Sequence, residues 1–135
     1  MPSEEYKKGL VIRRAVLGEE YVDRTLAKED AFNEPVMTFA TEAYWAKVWG
    51  RETLSRRDSS IAVLAMLIAL NKPDDLAVHL RAAIHNGLKI EEIQEVLLMS
   101  AVYCGAPASH GAFRIAGQVL ANEIKAFNAT HKKPD

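Results

Sequence analysis

The side chains able to do chemistry in this chain are few. His79 sits in DDLAVHLRAAIHNG, residues 74–87, among Leu76, Leu80 and Ala83. A histidine beside an apolar stripe can be a packed core residue, a metal ligand or a proton-transfer catalyst. As a ligand it lacks company. His85 is six positions on, about 240° around a helix, and no His-x-x-x-His or Glu-x-x-His pair shares a helix face. The second cluster is YWAKVWGR, residues 44–51, where Tyr44, Trp45 and Trp49 stand close to Arg51. Such a group can wall a pocket and aim a cation at an anion, or it can be core aromatics beside a solvated arginine. Cys104 and His110 can be a thiol and its base. Nothing nearby stabilises a thiolate, however, and a lone buried cysteine is inert. Phosphate-binding glycine loops and a nucleophile elbow are absent.

The elements that must position these residues are helices. Strand-like alternation and hairpin turns are missing, and apolar periodicity predicts amphipathic segments at 10–17, 21–26 and about 35–48. Ser55, with Asp58 three residues later, resembles a capping box and starts a fourth helix, roughly 56–70. From Ile61 onward that helix is apolar on every face, so it should be surrounded by protein, and subunit contacts are expected. Pro73, Asp74 and Asp75 suit the first turn of the helix that carries His79. Gly87 suits its left-handed end. A further helix begins near Ile90, and Gly105 and Pro107 interrupt it. A last helix is predicted over 108–127, followed by a frayed tail.

Composition bounds the rest. The chain has 135 residues, 49% of them hydrophobic and 26% charged, with a formal net charge of -1. This is one globular domain, 1–135, with a real core and no footprint for nucleic acid. One cysteine permits no internal disulfide and points to a reducing, cytoplasmic setting. MPSEEYKKGL has no apolar core of the kind a signal peptide needs. The longest apolar run, Ile61–Leu70, is short of the roughly 20 residues that span a bilayer.

Three stretches together resemble the carboxymuconolactone decarboxylase family: WAKVWGRETLSRRDSSIAVLAMLIAL, DDLAVHLRAAIHNGLKIEEIQEVL and YCGAPASHGAF. The family pattern has Trp-Gly-Arg, then Leu-Ser-x-Arg-x-x-Ser, a helix with Glu-Leu-x-x-His, an Asn-Gly turn, Glu-Ile-x-Glu and Tyr-x-Gly-x-Pro. The resemblance implies an all-α fold of the alkyl hydroperoxidase D type, no cofactor, and a homo-oligomer, a trimer or hexamer. It also implies a decarboxylase that turns 4-carboxymuconolactone, or a related carboxylated lactone or cyclic acid, into an enol-lactone and CO2. Three positions depart from the pattern. Ser59 stands where the family carries Arg, Glu52 where it carries Pro, and Ser109–His110 where Asn is common.

The chemistry implied needs no cofactor because the substrate is its own electron sink. The electron pair left by CO2 runs through the ring double bond to the carbonyl and forms a dienolate. The protein has to hold carboxylates, stabilise an oxyanion and deliver one proton. The resemblance thus assigns His79 as proton donor or oxyanion partner, Arg51 as carboxylate clamp and Glu42 as an orienting group. Trp45, Trp49, Tyr103 and His110 are expected to line the substrate pocket. The peroxidase branch of the superfamily uses a Cys-x-x-Cys pair before the matching histidine. Here those positions are Lys72 and Asp75, which ranks thiol-based peroxide reduction lower. A helical assembly module without catalysis is the remaining alternative.

Overall fold

A computed structural model describes residues 1–135, and every regular element in it is helical. The chain divides into two compact units, Met1–Ser59 and Ser60–Asp135. No helix is long and apolar enough to cross a membrane.

The first unit holds α1 (Glu4–Leu17), α2 (Glu19–Ala27), α3 (Glu34–Ala40), a π-helix (Thr41–Trp49) and the first residues of α4 (Arg56–Ala69). Helix α1 starts well before the apolar pattern at Leu10. Ser3 caps it, its Oγ accepting from the Tyr6 N–H at 3.0 Å, and Glu4 and Glu5 put negative charge at the positive dipole end. The single helix expected over about 35–48 is two elements, because the backbone widens into π turns at Thr41. The junction coincides with a close backbone approach. Helix α1 crosses the π-helix at Gly9, where an added Cβ would lie 1.9 Å from the Thr41 carbonyl oxygen. Two backbones meet there without side chains between them. The Thr41 hydroxyl donates to the Met37 carbonyl at 2.9 Å across the junction. Val16, Val22, Trp45 and Ala46 are buried in this unit.

The second unit comprises the rest of α4 with α5 (Pro73–His85), α6 (Ile90–Tyr103), α7 (Ala106–Val119) and α8 (Ala121–Thr130). Its core is one cluster around Leu64, Leu76, Leu80, Leu97, Ala112 and Leu120. Within one chain, helix α4 is covered on one side only. Leu64 and Ile68 are buried, but Met66 and Leu70 are more than half exposed. Gly87 does take a left-handed conformation, φ 100°, and the Leu88 N–H reaches back to the Ala83 carbonyl at 2.9 Å.

The last helix expected over 108–127 is divided at Leu120, whose φ of -109° and ψ of 30° leave helical geometry. The bend keeps Leu120 fully buried and turns Ile124 and Phe127 toward a groove shared with Ile93 and Leu97 of α6. Arg81 of α5 secures the bend by hydrogen bonds to the Glu123 carboxylate and the Val119 carbonyl. The segment expected to fray stays helical through Thr130, and the His131 ring stacks on Phe127 at 4.0 Å.

Candidate active site

In the second unit, His79 is placed by the physics of α5. Pro73 fixes the first turn and Asp74 and Asp75 favour its dipole. Leu76, Leu80 and Ala83 then anchor one face in the core. His79 lies one position off that stripe, half-buried, with its Nδ1 enclosed. Burial lowers the imidazole pKa from its ordinary 6.5, and the charge of Asp75, one turn earlier, opposes that shift. Burial thus disfavours the charged form of a side chain that is still close to solvent.

The helix end beyond His79 is tied by polar contacts. Asn86 donates its Nδ2 proton to the hydroxyl of buried Ser60 at 3.1 Å. Ser109, also buried, donates to the Leu97 carbonyl at 2.8 Å and seats the start of α7 on α6. The neighbouring His110 is exposed, as are Cys104 and Tyr103, the latter 83% accessible at the end of α6.

The first unit carries the other expected site residues. Trp49 follows Trp45 by four positions, close to one wide turn of the π-helix, so the two indoles come together. Their centroids are 5.4 Å apart and their planes 30° from parallel. Trp45 is buried in the core; Trp49 is only half-buried and looks onto a cavity of ≈ 250 Å³. Arg51 lines the same cavity together with Ile12, Glu52, Leu54, Ser55 and Arg56. Ser55 caps α4 as its spacing predicts, accepting from the Asp58 N–H at 3.0 Å. The reciprocal half of the box is replaced by an Arg57–Asp58 pair.

Glu42 stands apart from that cavity. Its carboxylate accepts from the Ser3 hydroxyl at 2.6 Å, and it lines a second cavity with Tyr6, Glu29, Glu34 and Thr38. Within this unit the structure therefore pairs Trp45 with Trp49 and sets Trp49 and Arg51 on one cavity, while Glu42 lines another. Arg56 is the residue that sequence reasoning missed. It sits at the variable position of Leu-Ser-x-Arg and reads as a surface charge. No group of three His, Cys, Asp or Glu side chains converges in a way that can hold a metal ion.

Every element is helical; the second unit carries half-buried His79 and the first a cavity lined by Arg51 and Arg56. The chain belongs to the carboxymuconolactone decarboxylase family, whose model matches residues 34–118. It is 39% identical over 117 residues to the 4-carboxymuconolactone decarboxylase of Acinetobacter baylyi, a match covering 87% of each chain. It is 32% identical over 130 residues to the nitrosuccinic acid decarboxylase of Metarhizium robertsii, covering 96% of this chain and 90% of that one.

Proposed function

We propose that the protein is a cofactor-independent carboxy-lyase of this family, with the alkyl hydroperoxidase D-like helical fold, acting on a small acid with two carboxyl groups. The substrate is 4-carboxymuconolactone or a related carboxylated lactone or cyclic acid. The observation that supports this best is half-buried His79 on α5, the helix where the family pattern has its histidine. Both relatives are named for loss of CO2 from such an acid. Each named acid carries a second carboxyl group and an electron acceptor: an unsaturated lactone in one, a nitro group in the other.

In the reaction, the C–C bond to the departing carboxylate breaks and its electron pair moves to the acceptor oxygen. A proton then adds to carbon. A neutral imidazole suits the oxyanion role that the resemblance left open beside proton donation. Its N–H donates to the oxygen on which charge grows, and a proton from water completes the product. Arg51 holds a carboxylate through its planar pair of donors. Glu42, tied to Ser3, orients the start of α1 against the π-helix and acts at a distance from the reacting atoms.

The working form is a homo-oligomer, a trimer or hexamer, in which both units serve as one functional domain. Exposed Met66 and Leu70 on α4, and Leu98, Met99, Val102 and Tyr103 on α6, support this. Exposed apolar side chains repeated along a helix of a small chain are suited to contact surfaces. Sedimentation that finds only a 15.0 kDa species at micromolar concentration refutes the assembly.

The function is tested by incubating the purified protein with 4-carboxymuconolactone and, separately, with nitrosuccinate, and measuring CO2 release. Turnover of either supports the carboxy-lyase. Release at the uncatalysed rate from both, by folded protein, overturns the substrate class.

A further inference from the structure

The ≈ 250 Å³ cavity beside Trp49 is lined by two arginines, Arg51 and Arg56. Neither makes a salt bridge or a side-chain hydrogen bond, unlike Arg14, Arg24, Arg57 and Arg81, each of which has a carboxylate partner. Glu52 lines the same cavity and pairs with neither. Two uncommitted planar cations on one small cavity, with an indole as its wall, form a receptor for a carboxylate. The cavity is below the roughly 300–1,000 Å³ typical of sites for drug-sized ligands, which suits a small acid.

Reaction energetics decide which carboxylate belongs there. The departing carboxylate is charged in the ground state and becomes neutral CO2. A cation paired with it is bound most tightly before the reaction and loses that interaction on the way to the transition state, so such a pair slows the bond-breaking step. A cation paired with the other carboxylate meets the same charge throughout. It improves binding and leaves the chemical barrier alone.

We infer that Arg56 joins Arg51 in anchoring the carboxylate that the substrate keeps, and that Arg56 selects doubly charged acids over singly charged ones. This rests on the carboxy-lyase function proposed above. Arg56 also answers a departure in the sequence. Ser59 stands where the family carries Arg, and Arg56 is one helical turn earlier on α4, at a position that the family pattern leaves open. The product keeps the anchored group, so it should compete with substrate for the same place.

The test uses two readouts on the full chain. In the first, succinate is titrated into wild type, Arg56→Gln, Arg56→Lys and Arg51→Gln while tryptophan emission reports from Trp49. Wild type should saturate. Each Gln variant should bind about tenfold to a hundredfold more weakly, the scale of a lost charge-assisted pair, and Arg56→Lys should fall between. In the second, CO2 release from nitrosuccinate is compared with release from its half ester methylated on the kept carboxylate. Arg56→Gln should raise KM for the diacid about tenfold or more with kcat within about threefold. It should change nothing further for the half ester. Succinate binding that ignores Arg56, with CO2 still released, overturns the anchor and leaves the decarboxylase standing. A fall in kcat at unchanged KM overturns it as well. Arg56-dependent succinate binding with no CO2 released from any diacid supports the anchor and refutes the decarboxylase.

Discussion

Asp75 stands one turn of α5 before His79, and its charge works against the burial that lowers the imidazole pKa. The two effects have opposite signs, and burial prevails. Asp75→Asn leaves burial unopposed, so the pKa falls further below 6.5. If the neutral imidazole is the active form, kcat/KM in wild type rises with pH through a limb below that value. In Asp75→Asn the limb should move to lower pH. A limb that stays in place, or moves up, breaks the link between Asp75 and activity. The same shift bears on stability. A histidine whose folded pKa is lowered leaves the unfolded chain binding more protons, so its contribution is full above 6.5 and is lost as pH falls from there toward the folded value.

His79→Ala should reduce kcat by roughly a hundredfold to a thousandfold, the scale of one missing oxyanion donor. His79→Gln, which can present an N–H from a similar place, should recover part of it. A proton donor would behave differently: Gln would then be as poor as Ala, and wild-type activity would fall rather than rise with pH through the histidine limb. Both variants should assemble normally. If they unfold while the surviving folded protein stays active, His79 is a core residue.

Gly9→Ala and Gly117→Ala should differ in sign. At Gly9 the new methyl would lie 1.9 Å from the Thr41 carbonyl oxygen, a backbone atom that cannot step aside. Overpacking of that kind costs about 1–3 kcal/mol, more than the ~1 kcal/mol that alanine adds to a helix. Nothing lies within 4 Å at Gly117 in α7. That change should stabilise by up to ~1 kcal/mol. Denaturant unfolding of the two variants checks both, and a stabilised Gly9→Ala would mean that α1 and the π-helix are not in backbone contact.

Glu123 is held below the ordinary carboxylate range, first by its hydrogen bond from Arg81. A depressed folded pKa contributes stability above the unfolded value of 4.5 that is lost as pH falls through the folded one. Amide exchange in α8 should therefore accelerate in acid before α5 and α6 open, and Glu123→Gln should flatten that pH dependence. Equal exchange in α8 of wild type and variant across the acid range would remove Arg81–Glu123 as the fastening of this helix.

The parts of the fold legible in the sequence are those governed by local rules. Pro73, Asp74, Asp75 and Gly87 delimit α5 because their effects act within a turn. Ser55 marks α4 for the same reason. The π-helix was not legible. Nothing in TEAYWAKVW asks for wide turns; they begin at Thr41, where the backbone of Gly9, some thirty positions earlier, makes its close approach. The break at Leu120 has no glycine or proline to announce it, since a buried leucine and the reach of Arg81 set it. The start of α1 was missed because Ser3 and two glutamates carry no apolar period. As for the site, His79 stands out by type and place. Arg56 does not, because a charge beside another charge in SRRD looks like solvent-facing surface until the cavity next to Trp49 is seen.

The tilted indole pair of Trp45 and Trp49 has a consequence for how this molecule absorbs light. Two strong transition dipoles held at 5.4 Å and a shallow tilt couple as an exciton pair. Such a pair adds a signed couplet to the far-ultraviolet circular dichroism, on top of the helical bands. Helix content judged from ellipticity alone will then be misjudged for the native protein. The couplet itself should vanish as soon as the π turn relaxes, even while the α-helices persist, and so supply a built-in optical gauge of that one segment.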